Sequence, residues 1–134
     1  LHSQLNSSLL RNYSEIANRE PALISPATAK ARGIKTGDVV RIYNDRGEIL
    51  CGALVSDTAQ DNVVIVSEGA WYDPSVWGEK SLCKHGNINV LTKDVPSSQL
   101  SQSNTAHTSM VQVEKFKGEL PSVTAFDRPV TIEA

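Results

Sequence analysis

The sequence predicts a mostly β fold, a small β barrel of five or six strands with one or two short helices. Short apolar runs alternate with polar positions, and Gly, Asn and Asp residues separate these runs at close intervals. A chain of 134 residues is one domain of ordinary size, able to bury about two thirds of its unfolded surface. We therefore expect residues 1–134 to form one domain, with 117–134 as an extended tail.

The first twenty residues are polar and rich in Ser and Asn. These side chains compete with the helical backbone for hydrogen bonds, so the segment is predicted to be an extended lead-in followed by a loop. The apolar run 22–24 that follows is predicted to be a short strand.

Residues 25–33 carry the signals of a short helix. Ser25 suits the N-cap, Pro26 the first helical position, and Gly33 the left-handed residue after the last turn. The spacing predicts a helix over 26–32. A helix of two turns is stable only when packed, and we expect this packing to involve Ala27, Ala31 and Ile34.

A β hairpin is predicted over 39–56 because apolar residues alternate on both sides of a polar turn. The turn is 44–47, where Gly47 is free to adopt positive φ. Cys51 lies on the apolar face of the return strand, which favours an inert thiol over a nucleophile.

A third strand is predicted over 62–66, and the irregular loop 68–90 follows it. We expect another strand over 88–91. The loop contains Trp71, Tyr72 and Trp77, which either cap the β core or belong to a binding surface.

The polar segment 92–108 is either a flexible linker or an ordered loop that faces a ligand, and its position between two predicted strands favours the ordered loop. The last strand is predicted over 109–116, where apolar and polar residues alternate. The tail 117–134 contains two prolines and little periodicity, so it is expected to wrap the surface or hang free.

Charge and composition exclude several classes of protein. Thirteen Lys and Arg oppose fifteen Asp and Glu, for a net charge of −2, and the basic residues are dispersed, so no nucleic-acid partner is expected. No apolar run approaches the ~20 residues that span a bilayer. No signal peptide is predicted, and Leu1 in place of Met indicates a processed product or a piece of a longer protein.

The two cysteines, Cys51 and Cys83, are expected to be free thiols, although a disulfide between them is left open.

No pattern of catalytic residues is present. The sequence contains no GxSxG, P-loop or GxGxxG motif, and its three histidines have no visible Ser or Cys partner. We expect neither a catalytic residue nor a metal ligand in this chain. Neutral amide and hydroxyl groups remain, and these suit the edge of a heterocycle or the oxygens of a phosphate ester.

Five collinear blocks carry a resemblance to a known family. They are LHSQL at the start, ISPATAKARGIKTGDVVRIYNDRGEIL, EGAWYDP, KHGNINVLT and SQSNTAHTSMVQVEKF. Together they resemble the C-terminal domain of the dimethyl sulfoxide/trimethylamine N-oxide/biotin sulfoxide reductase family of molybdoenzymes. This resemblance covers nearly the whole chain and implies a double-psi β barrel that closes over a bis(molybdopterin guanine dinucleotide) molybdenum cofactor.

The resemblance also implies which side chains bind the cofactor. One dinucleotide would lie along the N-terminal block, and a pterin or phosphate would meet the central Asn pair. The last polar loop would approach the cofactor as well. The implied cofactor-binding residues are His2, Ser3, Gln4, Asn87, Asn89, Asn104 and His107. Trp71 and Tyr72 would then pack beneath the cofactor.

For the parent enzyme the resemblance implies two-electron oxygen-atom transfer that reduces an N-oxide or S-oxide. The partners would be its other domains, the substrate, and an electron donor protein or nicotinamide cofactor. The fragment alone would be inactive.

The resemblance implies two possible locations for the parent enzyme. The location would be the periplasm if the parent is an N-oxide or S-oxide respiratory enzyme, and the cytoplasm if it is a biotin sulfoxide reductase. The alternative to a reductase domain is a stand-alone β-barrel interaction module. Such a module would bind a partner through the aromatic loop, the part of loop 68–90 that contains Trp71, Tyr72 and Trp77.

Overall fold

The computed structural model describes residues 13–78, 81–103 and 109–128. Strands outnumber helices among the described residues, and the mostly β class is confirmed. The elements are β1 (Pro21–Ile24), α1 (Pro26–Ala31), β2 (Val39–Tyr43), β3 (Glu48–Val55), β4 (Val64–Val66), a 3-10 helix (Ile88–Val90) and β5 (Gln112–Lys115).

The five strands form one curled sheet in the order β4-β1-β3-β2-β5. Strands β1 and β3 pair in parallel, with Ala22 opposite Ala53. The other three pairings are antiparallel. Strand β3 lies at the centre and is buried on both faces along most of its length. The hairpin β2–β3 is therefore the framework on which the neighbouring loops are placed.

Helix α1 begins as the sequence predicts. Ser25 is the N-cap, and its Oγ accepts a hydrogen bond from the Thr28 backbone N–H at 3.2 Å. The Ser25 hydroxyl also lies 2.6 Å from Oδ1 of Asp61, which ties the start of the helix to the turn before β4. Gly33 has the expected left-handed conformation, with φ of 65°.

The packing face of α1 differs from the prediction. Ala29 is 2% exposed and Ile34 is buried, whereas Ala27 and Ala31 face solvent. The prediction of Ile34 is confirmed and that of the two alanines is wrong. Ser25 and Ala29 are four residues apart and therefore lie on one face of this short helix, and both are buried.

The hairpin is confirmed, but the role of Gly47 is not. Gly47 is absent from the glycines with positive φ among the described residues. An added Cβ at Gly47 would instead lie 2.5 Å from Cγ1 of Val90. Glycine is needed there because the turn and a distant segment approach each other closely.

The strand predicted over 88–91 is wrong, since residues 88–90 form a 3-10 helix. The Asn87 side chain accepts a hydrogen bond from the Asn89 N–H at 2.9 Å, which favours a turn over an extended chain. The strands predicted over 62–66 and 109–116 exist but are shorter.

The described part of the tail wraps the surface, one of the two expected outcomes. The carbonyl of Pro121 accepts a hydrogen bond from Arg19 at 2.7 Å, and Thr124 hydrogen-bonds to Asp73. At the other end of the chain, Tyr13 and Ser14 are helical, where the sequence predicts a loop.

Candidate functional site

The Asn turn, residues 87–91, holds two of the predicted binding residues. Asn87 caps the 3-10 helix through its own Oδ1, and the buried Leu91 anchors the far end in the core. Thr92 donates a hydrogen bond to the carbonyl of Asn89 at 3.3 Å. Because Asn87 uses only Oδ1 in this cap, its Nδ2 is left to donate elsewhere.

The hairpin turn 44–47 is fastened to the Asn turn. Nδ2 of Asn44 donates to the carbonyl of Leu91 at 2.9 Å, while Oδ1 of Asn44 accepts from the backbone N–H of Arg46 at 2.9 Å. Gly47 lies against Val90 with no room for a side chain. One amide therefore holds both turns in a fixed relation.

A surface cavity of about 350 Å³ opens between these two turns and the aromatic loop. Its volume lies within the range of small-ligand sites. Of the described residues around it none is acidic, and they offer a guanidinium, two amides, a phenol and a hydroxyl. They are Arg46, Tyr72, Ser81, Asn87, Asn89 and Val90.

The structure thus brings Asn87 and Asn89 together on one concave surface. The other predicted cofactor residues lie outside the described residues; they are His2, Ser3, Gln4, Asn104 and His107. Sequence reasoning missed Arg46 and Tyr72 as neighbours of the Asn pair. The sequence does show Arg46 in the polar turn NDRG. It does not show that this turn contacts the Asn turn, because the two are far apart along the chain.

The aromatic loop lies mostly at the surface. Trp71, Tyr72 and Trp77 are 48%, 43% and 76% exposed, so the interpretation that they cap the core is wrong. Tyr72 and Trp77 make an edge-to-face contact with ring centroids 6.0 Å apart. The loop therefore presents aromatic surface beside the cavity.

A buried histidine contacts the aromatic loop on the side that faces the core. His85 is fully buried, its Nδ1 lies 3.3 Å from the carbonyl of Trp71, and its Nε2 lies 2.7 Å from Glu15. The ring of Phe126 packs edge-on against His85 at 5.1 Å. Both ring nitrogens of His85 have partners, so this residue is structural.

A second buried cluster ties the loop to the tail. Asp73 accepts hydrogen bonds from the Thr124 backbone at 2.7 Å and hydroxyl at 2.6 Å, and Lys84 lies 3.1 Å away. Burial raises the pKa of Asp73, but the bonds from Thr124 and Lys84 outweigh it and lower the pKa overall. Asp73 is therefore a charged anchor at neutral pH.

Neither cysteine is a candidate nucleophile. Cys51 and Cys83 are free and fully buried, as expected for free thiols. Burial raises the pKa of the Cys51 thiol well above its usual value, and Glu20 adds to this. A thiol held neutral in the core does not react as a thiolate.

The described ranges offer neither a metal site nor a membrane-spanning helix. Residues 13–78, 81–103 and 109–128 contain no group of three His, Cys, Asp or Glu side chains placed to hold a metal ion. The same ranges contain no helix with the length and apolar character needed to cross a bilayer.

The class of protein follows from a match between most of the chain and a family model. Residues 1–110 match the family model of the molydopterin dinucleotide binding domain, and the chain belongs to that family.

Curated relatives narrow the comparison. The chain is 49% identical over 136 residues to the trimethylamine-N-oxide reductase of Salmonella typhimurium, a match covering 100% of this chain and 16% of that protein. Trimethylamine-N-oxide reductase 1 of Escherichia coli K12 is 52% identical over 126 residues, covering 92% and 15%. The dimethyl sulfoxide/trimethylamine N-oxide reductase of Cereibacter sphaeroides is 49% identical over 130 residues, covering 96% and 16%. The chain thus spans about one sixth of the length of these relatives.

A solved structure supports the fold. Acetylene hydratase from Pelobacter acetylenicus superposes with a TM-score of 0.61 at 14% identity, covering 84% of this chain and 16% of that one. At this identity the likeness concerns the fold alone.

Proposed function

We propose that this domain binds bis(molybdopterin guanine dinucleotide) molybdenum as part of a larger reductase of N-oxides or S-oxides. The observation that carries the proposal is the placement of Asn87 and Asn89 on one cavity, in a chain of the dinucleotide-binding family. A scattered polar set would have favoured an interaction surface instead. Two side-chain amides on one concave wall are suited to a planar, polar ligand.

The cavity fits part of such a cofactor. At about 350 Å³ it holds a fragment, and the remainder would meet other residues of this chain and other domains. We propose that the remaining contacts come from His2, Ser3, Gln4, Asn104 and His107. The double-psi form of the barrel is part of the same proposal.

The domain's own residues bind and orient. When bound, the molybdenum cofactor supplies two-electron oxygen-atom transfer. Nδ2 of Asn87 donates a hydrogen bond, and the exposed Asn89 amide both donates and accepts. The Asn44 amide keeps the two turns fixed, so these groups meet the ligand without rearrangement. No residue of this chain is assigned a catalytic role.

The proposal extends to the substrates, the partners and the location of the parent protein. Trimethylamine N-oxide is the first candidate substrate, because the relatives are named for its reduction. Dimethyl sulfoxide and biotin sulfoxide are the others. The partners are the other domains of the reductase and an electron donor protein or nicotinamide cofactor. The periplasm is the proposed location, with the cytoplasm as the alternative for a biotin sulfoxide reductase.

A second candidate function is an interaction module without a redox role. The exposed fractions of Trp71 and Trp77 favour contact between the aromatic loop and another protein surface. In the proposed reductase the same surface would contact the parent's other domains.

The test uses the full-length protein that carries this domain. Its molybdenum content and the nucleotide released by acid are measured, with turnover of the three candidate substrates by reduced viologen. We expect two GMP for each molybdenum and turnover of trimethylamine N-oxide. Folded protein without molybdenum or GMP, after expression in a host that makes the cofactor, would favour the interaction module. Asn89→Leu is expected to lower the molybdenum content, and Gln60→Leu, at an exposed amide side chain in the turn before β4, to leave it unchanged.

A further inference from the structure

Arg46 differs from the three arginines nearest to it in sequence. Arg19 donates to the carbonyls of Ala17 and Pro121. Arg32 donates to the carbonyl of Val113 at 2.7 Å. Arg41 pairs with two carboxylates, those of Glu48 and Glu114.

The guanidinium of Arg46 makes no hydrogen bond or ion pair within the described part of the chain. Its backbone is nevertheless fixed by the bond to Asn44.

The position of Arg46 is set by contacts that do not involve its charge. Asn44 joins the hairpin turn to Leu91, and Gly47 lies against Val90. These contacts place an uncommitted guanidinium on the wall of the cavity that also contains Asn87 and Asn89. No carboxylate stands among the described residues of that wall.

The remaining groups of the wall leave donors in excess. Oδ1 of Asn87 is used by the Asn89 backbone, so its Nδ2 donates. The hydroxyl of Ser81 is committed to the carbonyl of Val76 at 2.9 Å. A guanidinium with amide donors and no acid is the arrangement that binds phosphate oxygens, because the planar fork meets two oxygens at once.

We propose that Arg46 binds a phosphate group of the nucleotide cofactor, with Nδ2 of Asn87 as a second donor and the Tyr72 ring as the apolar wall beside it. This inference rests on the proposed function. It adds a charged phosphate contact from the NDRG turn to the amide contacts of the Asn turn. Arg46 is a binding residue and has no part in the chemistry of the metal.

The test measures cofactor release from the full-length holoprotein. Arg46→Gln removes the charge, and Arg46→Lys keeps it without the fork. Released pterin is followed by its fluorescence after oxidation, and retained molybdenum by mass spectrometry. A charge-assisted contact of this kind corresponds to roughly tenfold to hundredfold faster release for Arg46→Gln. Arg46→Lys should lie between this variant and the wild type.

Lys35→Gln is the matched control. Lys35 is exposed in the turn before β2, at the end of the hairpin opposite residues 44–47, roughly 15 Å away at the rise of a strand. The Lys35→Gln substitution removes one positive charge at a distance from the cavity, so the rate of cofactor release should be unchanged. Thermal unfolding of the apoproteins should not differ between Arg46→Gln and the wild type, because the guanidinium has no partner among the described residues.

The outcomes separate this inference from the proposed function. Faster release from Arg46→Gln, with Lys35→Gln unchanged, supports the phosphate contact. Unchanged release from Arg46→Gln, with faster release from Asn89→Leu, would refute the role of Arg46 alone. Unchanged release from both would contradict the cofactor site itself.

Discussion

The Nε2 atom of His85 lies 2.7 Å from Oε1 of Glu15, and both side chains are almost completely buried. The carbonyl of Trp71 can only accept, so Nδ1 of His85 donates to it and Nε2 faces the carboxyl group. This contact links the segment before β1 to the aromatic loop. The shape of the loop beside the cavity therefore depends on a buried polar pair.

Replacing Glu15 with Leu should destabilise the domain. The change leaves Nε2 of His85 buried without its partner, and a buried polar group left unsatisfied costs about 1–3 kcal/mol. The measurement is urea unfolding of the 134-residue chain, followed by the fluorescence of Trp71 and Trp77. Asp57→Asn, at an exposed turn position, should change the free energy of unfolding by less than about 0.5 kcal/mol. Equal stability of both variants would show that the pair contributes little.

Acid should remove the contribution of Asp73. Its pKa is lowered in the folded state, so the unfolded chain binds more protons between the two pKa values and stability rises with pH there. The contribution is fully present above the ordinary pKa of 3.8 and is lost as the pH falls through the lowered value.

Asp73→Asn tests this dependence. At neutral pH the free energy of unfolding of the variant should be about 2 kcal/mol lower than that of the wild type, because the variant loses charge-assisted hydrogen bonds. The two proteins should converge as the pH falls well below 3.8. A difference that is independent of pH would mean that the carboxylate charge is not what stabilises the cluster.

Gly47→Ala should disturb the Asn turn. The new Cβ would lie 2.5 Å from Cγ1 of Val90 and 3.3 Å from its carbonyl oxygen, so either the Val90 side chain must rotate or the two turns must move apart. Overpacking of this kind costs about 1–3 kcal/mol. Adding Val90→Ala should restore part of the stability, because it removes the closer of the two atoms. Urea unfolding of the single and double variants measures the coupling, and strictly additive effects would contradict the steric explanation.

Both thiols should resist modification in the folded protein. Cys51 and Cys83 are 0% exposed, and the raised pKa of Cys51 keeps its thiol neutral. A disulfide-exchange reagent such as DTNB should label neither residue in native buffer and both in urea. Rapid labelling of one thiol in native buffer would show that the core around β3 opens more readily than its packing implies.

The segments that were predicted correctly are those governed by local signals. Ser25, Pro26 and Gly33 each adopt the position that their backbone chemistry favours. The hairpin over 39–56 follows from alternation and a polar turn. These features depend on neighbours within a few residues, which a sequence displays directly.

The segments that were predicted wrongly are governed by long-range contacts or by side-chain capping. Gly47 lacks the positive φ expected of it because its requirement comes from Val90, far along the chain. Residues 88–90 are apolar enough for a strand, yet the Asn87 cap makes them a 3-10 helix. The candidate site combines both kinds of feature. Asn87 and Asn89 lie in one sequence motif, whereas Arg46 lies beside them only because the fold brings distant segments together.

Hydrogen–deuterium exchange of the full-length protein, with and without its cofactor, tests the central claim most directly. The compared peptides cover 44–47, 87–91 and, as a control, the buried strand 48–55. If this domain binds the dinucleotide at the cavity, the first two should become protected when the cofactor is bound, while the control changes little. Equal exchange of 87–91 in the two forms, with protection confined to other domains, would contradict the proposed site.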